Sequence, residues 1–213
     1  VDRDADHLRT RHGEFFDLEL QPPRVSTVSG RCPDFYFGGH SEPARRVAAE
    51  HADVFLTWPD TEAAVAELVA DMSARAAAFN RTLRFGFRTH VIVRETEAEA
   101  KAAARYLLAG LDEPAGAQIR QRSLDSNSAG VRRQAELREG SDDEGYIEPG
   151  LWTGIGRARS GAGAALVGDP DQIIAKLRSY QKLGVDCFIL SGYPHIEECK
   201  LFGQYVLPAF RAS

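Results

Sequence analysis

A chain of 213 residues, 43% apolar and 27% charged, has the make-up of a globular protein with a sizeable core, in one large domain or two small ones. Its net charge of −5, with no basic stripe to offset it, argues against a nucleic-acid partner, and no apolar run is long enough to span a membrane. Three widely spaced cysteines, Cys32, Cys187 and Cys199, form no CxxC and suit a reducing cytoplasm better than a disulfide framework, and no signal peptide opens the sequence.

In residues 1–32, the least regular part, one strand-like run at 14–20 is stopped by Pro22-Pro23. A rhythm then sets in. Residues 34–37 read as a short apolar strand ending in Gly38-Gly39-His40-Ser41, with a helix from near Pro43. Residues 53–58 read as a second strand, followed by a helix over about 61–79 with an apolar side of Val65, Leu68, Val69, Met72, Ala76 and Phe79. From 84 to 93 the pattern alternates, with Phe85, Phe87, Thr89, Val91 and Val93 on one face and Gly86, Arg88, His90 and Ile92 on the other. Thr96 with Glu99 makes a capping box for a helix through about Leu111. Residues 112–149 break the rhythm, with little apolar periodicity beyond a short helix near 131–137, and a stretch of that length reads as a functional lid or a disordered insertion. A glycine-dense turn over 150–163 carries Arg157 and Arg159. Asp169-Pro170 caps a helix that ends at Gly184, 185–191 is the fourth strand, and a last helix over about 196–207 closes at Pro208.

Strands alternating with helices mean parallel strands joined by right-handed crossovers, in an open doubly wound sheet or part of a (β/α)8 barrel. The polar residues gather at strand C-terminal ends: His40 and Ser41, Trp58, His90, then Tyr193 and His195. Both architectures place active sites there, but only a barrel has a lumen to receive Arg88 and His90 from one strand, so the barrel is favoured. Four βα units are visible, half the number a barrel needs.

Arg88 and His90 lie about 7 Å apart along their strand, and on an interior strand both need partners. The pair asks for an anion; the alternative is an ion pair with a carboxylate elsewhere and a satisfied core histidine. Tyr193-Pro194-His195 adds a hydroxyl and a second imidazole at the same end. The 38–41 turn is either a plain tight turn or an anion cradle at a helix N-terminus. Trp58 is core or an aromatic wall, Arg159 is exposed unless a lid brings it inward, and the charges from Arg120 to Arg138 read as a solvated face. Cys187 and Cys199 read as buried small apolar residues. No metal-ligand spacing and no GxSxG nucleophile motif is present.

Taken together, Tyr36-Phe37-Gly38-Gly39, Phe55-Leu56-Thr57-Trp58, the run from Arg84 to Thr96, Leu151-Trp152-Thr153-Gly154, the run from Gly161 to Gly168 and Leu190-Ser191-Gly192-Tyr193-Pro194-His195 resemble the alkanesulfonate monooxygenases of the bacterial luciferase-like superfamily. The likeness runs from about Phe16 to Pro208, and the Arg-x-His strand with Ser-Gly-Tyr-Pro-His is its most diagnostic part. It implies a TIM-type α/β barrel in a cytoplasmic, homo-oligomeric enzyme. Reduced FMN (FMNH2) would come from a separate NAD(P)H-dependent FMN reductase, and O2 would cleave an alkanesulfonate to aldehyde and sulfite. By matching position it implies Arg88, His90 and Tyr193 as catalytic residues, and Trp58, Arg88, Arg159 and His195 around the sulfonate. Gly38, Gly39, His40 and Ser41 would hold the FMN phosphate, and no metal is implied. Only the C-terminal portion of that barrel is covered, so 1–213 reads as one part of a single barrel domain with 112–149 as its mobile lid. One departure is the turn itself, Gly-Gly-His-Ser where the family usually has Gly-Gly-Ser-Ser. The alternatives are another flavin or deazaflavin oxidoreductase of this superfamily, or a truncated flavin-binding remnant.

Overall fold

In the computed structural model, which describes residues 8–21, 27–122, 128–158 and 160–211, the chain divides into two units, Val1–Asp34 and Phe35–Ser213. In the first, β1 (Arg9–His12) and β2 (Asp17–Leu20) form an antiparallel pair, with His12 opposite Asp17 and their side chains 2.9 Å apart. Both strands are exposed along their length, as are Phe15 and Phe16 between them. The Arg-Thr-Arg-His run of β1 has no apolar alternation to betray it; backbone pairing alone makes it a strand.

The second unit runs β3 (Tyr36–Phe37), α1 (Glu42–His51), β4 (Val54–Thr57), α2 (Glu62–Ala77), β5 (Arg84–Val93) and α3 (Glu97–Leu108). It continues through α4 (Glu113–Arg122), α5 (Ala129–Glu139), β6 (Tyr146–Glu148), β7 (Leu151–Trp152), a 3-10 turn (Gly154–Arg157) and β8 (Ala165–Gly168). It closes with α6 (Pro170–Lys182), β9 (Val185–Ser191), α7 (His195–Tyr205) and α8 (Pro208–Arg211). Strands β3, β4, β5 and β9 are parallel neighbours in that order, which is the four-unit βα series expected from the sequence. The capping boxes Thr96/Glu99 and Asp169/Gln172 open α3 and α6.

Residues 112–168 hold more structure than their sequence announces. Helices α4 and α5 occupy most of the stretch read as a lid, and β6, β7 and β8 follow it. His90 is opposite both Ala165 of β8 and Ser191 of β9, so those strands flank β5 on opposite edges. The edge that carries β4 along Arg84–Phe87 therefore carries β8 along His90–Val93. β7 and β6 extend the sheet beyond β8 in antiparallel sense. These strands are two to four residues long in a glycine-rich run, too short to show a period.

Register assigns the two sheet faces, because paired residues point the same way. Phe87, Val91 and Val93 of β5 face the helices and pack with Val65, Ile173, Leu177 and Tyr180; Phe87 stacks on Tyr180 at 4.4 Å. Phe55 joins Leu68, Met72 and Ala76 on the same side. The opposite face is built from Tyr36, Leu56, Gly86, Arg88, His90, Cys187, Ile189 and Ser191. It is open, with Tyr36 49% and Ile189 40% exposed, while Phe87 on the helix side is fully buried.

Three smaller expectations are corrected. Phe79 follows α2 and is 38% exposed, because Asn80 at φ 54 turns the chain away before the ring can join the core. Cys199 is exposed on α7 and Cys187 half-buried on the open face. The charges from Arg120 to Arg138 are not uniformly solvated, since Arg133 is paired with the buried Asp60 and Arg138 is half-buried.

The last strand-to-helix joint is held by charge. Arg94 donates to Glu198 through Nη2 at 2.6 Å and Nη1 at 3.2 Å, and the Glu198 side chain is only 4% exposed. A Cβ at Gly192 would lie 2.5 Å from Glu198 Cβ, so only glycine lets α7 approach. Arg94→Ala leaves a buried carboxylate without its partner and is expected to lower stability by about 3–5 kcal/mol in urea unfolding, whereas Arg105→Ala on exposed α3 surface serves as the near-neutral control. Among the described residues, no helix is long and apolar enough to cross a membrane.

Candidate active site

The upper part of the open face collects the polar side chains. His90, 2% exposed, has its Nδ1 atom 2.9 Å from Ser191 Oγ on the adjoining strand. Its ring lies 5.5 Å from that of Tyr193, which meets His195 edge-on at 4.8 Å, so the three rings form a line from β5 to the first residue of α7. The Tyr193-Pro194 peptide bond is cis. Arg88 is half-buried, two residues before His90 on the same face, and among the described residues it makes no hydrogen bond or ion pair. A half-buried guanidinium without a counter-charge is a site waiting for an anion. Continuing the β4–β5 register one step from Thr57 opposite Phe87 brings Trp58 beside Arg88.

Trp58 is a wall with something behind it. A Cβ at Gly130 would lie 3.1 and 3.3 Å from two Trp58 ring carbons and 3.4 Å from His40 Cδ2, so the first turn of α5 rests on both rings. What holds α5 there is a set of bonds to the loop just after Trp58. Arg133 donates to both Asp60 carboxylate oxygens at 2.7 and 2.8 Å, and Gln134 donates to the Pro59 carbonyl at 2.8 Å. The Gly163 amide donates to the Gln134 side chain at 2.9 Å, tying in the glycine-rich turn. Asp60 is 8% exposed, and its carbonyl accepts from the buried Tyr180 hydroxyl.

The 38–41 turn joins β3 to α1, as expected. Gly38 is required because a Cβ would meet the Leu56 carbonyl oxygen at 2.8 Å, and Gly39 because a Cβ would meet Ala44 Cβ at 2.6 Å. Ser41 caps α1, accepting from the Ala44 amide, and Glu42 is drawn to Arg75 at 2.6 and 3.0 Å. That leaves one amide at the head of α1, that of Glu42, without an acceptor in the helix, since Pro43 has no N–H and the Ala44 and Arg45 amides are taken by Ser41; the Ser41 hydroxyl proton and the His40 imidazole belong to the same turn. This donor set fits a phosphate such as that of FMN. Burial, and then the nearby Arg45, hold the His40 pKa below its usual 6.5. Such a group stabilises the fold above pH 6.5 and withdraws that stability as pH falls through its lowered folded value. The expected result is a loss of melting temperature on acidification below pH 6.5 that is smaller in His40→Gln, followed by thermal scans across that window.

The structure thus brings together His90, Tyr193 and His195, with Arg88 on the same face and Trp58 beside it by continuation of the register; of the 38–41 turn, His40 shares Gly130 of α5 with Trp58. Arg159 lies outside the described residues. Sequence reasoning missed Ser191, Gly130, Asp60, Arg133 and Gln134. The alternation of 185–191 does place Ser191 on one face with Cys187 and Ile189; for α5 no local signal exists, since Arg133 and Asp60 are 73 residues apart.

A curled parallel sheet with its polar residues at the strand C-terminal ends is the frame of a (β/α)8 barrel enzyme. The chain belongs to the luciferase-like monooxygenase family, whose model matches residues 4–187. It is 61% identical over 196 residues to the sulfoquinovose monooxygenase of Novosphingobium aromaticivorans, a match that covers 92% of this chain and 54% of that protein. It is 48% identical over 198 residues to the sulfoquinovose monooxygenase of Agrobacterium fabrum, covering 93% and 51%. The chain spans about half the length of the curated relatives it matches. A riboflavin lyase solved with a modified FMN and riboflavin superposes with a TM-score of 0.71 at 15% identity, over 100% of this chain and 50% of that one, which speaks for the fold. The fold is accordingly that of a luciferase-like TIM barrel, of which this chain carries β3, β4, β5, β8 and β9 in parallel, with the β6–β7 hairpin beside β8. The motif resemblance reached the right superfamily, while the two curated relatives are named for sulfoquinovose where it suggested an alkanesulfonate.

Proposed function

We propose that this chain forms one side of the active site of a reduced-flavin-dependent sulfonate monooxygenase, whose substrate is a sulfonated sugar of the sulfoquinovose type. The observation that carries the reading is Arg88, a half-buried cation with no counter-charge among the described residues, beside the line His90, Tyr193, His195. A sulfonate is a hard anion matched to a guanidinium fork. A sugar is favoured over a plain alkane chain by the identity to the sulfoquinovose enzymes and by the lining, in which hydroxyl and imidazole groups can bond ring hydroxyls and the half-buried Trp58 offers a flat apolar wall.

FMN, when bound in its reduced form, supplies the electrons that activate O2; a NAD(P)H-dependent reductase would provide it. The Glu42 amide at the head of α1, the Ser41 hydroxyl and the His40 imidazole would hold its phosphate. Arg88, with Arg159 from the glycine-rich turn, would orient the sulfonate and stabilise the sulfite that departs as the C–S bond breaks and the carbon becomes a carbonyl. His90 and Tyr193 are placed to hold or pass a proton at the reacting carbon. Helix α5, pinned through Asp60 and Pro59, would keep water from the Trp58 side, and any opening of residues 112–149 would then centre on α4.

The test is sulfite release by the full-length protein with reduced FMN and O2, comparing sulfoquinovose with octanesulfonate. Release at least about tenfold faster from the sugar is expected, as one lost set of hydroxyl contacts is worth roughly that. Faster release from octanesulfonate returns the substrate to the alkanesulfonates, and no sulfite from either overturns the reading.

A further inference from the structure

The ladder between β5 and β9 sets His90 directly opposite Ser191, and the serine hydroxyl meets His90 Nδ1 at 2.9 Å. Among the described residues this is the one hydrogen bond of the Ser191 side chain. We infer that Ser191 is a positioning residue: its hydroxyl donates to Nδ1, fixing the His90 ring in one of its two flipped orientations and placing the ring proton on Nε2. This rests on the reading above only in treating His90 as a site residue.

Two physical points carry it. A serine hydroxyl has a single proton; if it accepted from an Nδ1–H instead, its own O–H would be left without an acceptor among the described residues, which is the less favourable arrangement for a half-buried donor. Second, the Tyr193 ring packed 5.5 Å away fixes the plane of the imidazole but not its flip, because a half-turn about the Cβ–Cγ bond exchanges Nδ1 with Cδ2 and leaves the plane unchanged. A polar partner is what distinguishes the two orientations, and Ser191 on the neighbouring strand is such a partner, at Nδ1. With Nδ1 accepting from Ser191, the proton of the neutral tautomer sits on Nε2, the polarity suited to an acceptor on that side of the ring.

The decisive readout does not need turnover. In full-length protein carrying 15N-labelled histidine, with His90 assigned by difference from His90→Gln, Nδ1 is expected to be the unprotonated nitrogen with the shift of a hydrogen-bonded acceptor. That shift moves toward the free-acceptor value in Ser191→Ala and returns in Ser191→Thr, which keeps a hydroxyl at the same position. An Nδ1-protonated ring, or an Nδ1 resonance indifferent to Ser191→Ala in a folded protein, overturns the inference. If the sulfite assay fails while the Nδ1 shift still follows Ser191, the functional reading falls and the pairing stands. In an active enzyme, Ser191→Ala should lower kcat about tenfold and shift the pH–rate profile with little change in KM, and Ser191→Thr should restore both; an unchanged pH profile counts against the assignment.

Discussion

Arg88→Ala is expected to lower kcat/KM for a sulfonate by about 10²–10³-fold while leaving the folded protein as stable as before, or slightly more so. The reason is the asymmetry of its surroundings. Truncating one member of a desolvated charge pair costs about 2–5 kcal/mol, and here the pair exists only once the anion has bound. Without ligand Arg88 has no hydrogen bond or ion pair among the described residues, so its removal orphans nothing there and relieves a half-buried charge. Arg88→Lys keeps the charge but loses the planar fork and should recover only part of the activity. Urea unfolding together with steady-state sulfite assays checks both halves, and a variant that loses stability and activity in parallel would show Arg88 to be a structural ion-pair member.

The second large effect runs the other way, through stability first. In Arg133→Ala the carboxylate of Asp60, whose side chain is 11% exposed, is left buried without its partner, at a cost of about 3–5 kcal/mol. That is a large part of the net stability of an ordinary domain. The same change cuts the main tie between α5 and the loop after Trp58, so the contact of Gly130 with the indole should loosen and Trp58 fluorescence should shift toward that of a wetter ring. Trp152, 2% exposed and donating to the Glu144 carbonyl, should keep its own signal. Gly130→Val approaches the same wall from outside: its side chain must displace Trp58 or lift α5, and either result should raise KM more than it lowers stability. An Arg133→Ala protein with unchanged unfolding and unchanged Trp58 emission would show that α5 is not held where the structure places it.

Why some of this could be read from the chain and some could not follows from how each feature is encoded. Strands β5 and β9 are legible to the residue because one is alternating and fully flanked, and the other is bounded by Gly184 and Gly192. The pair Arg88 and His90 is legible because a period of two puts both on one face whatever surrounds them. β8 is not, since four residues, Ala-Leu-Val-Gly, are consistent with a buried strand or a buried helix segment, and only pairing with the upper half of β5 decides. The arginines of α5 look solvated in sequence because helical spacing does not reveal that Asp60 waits beneath one of them. The family was legible because its motifs, among them Phe55-Leu56-Thr57-Trp58 and Ser191-Gly192-Tyr193-Pro194-His195, are short and local, whereas nothing in them separates one sulfonate from another.

The central claim is that the open sheet face anchored by Arg88 binds a sulfonate. Its most direct measurement is a calorimetric titration of the full-length protein with sulfoquinovose, beside the same titration of Arg88→Ala. Saturable binding that weakens about 100-fold or more in the variant, a loss of about 2.7 kcal/mol, is the predicted result. Equal affinity in the two proteins would contradict it.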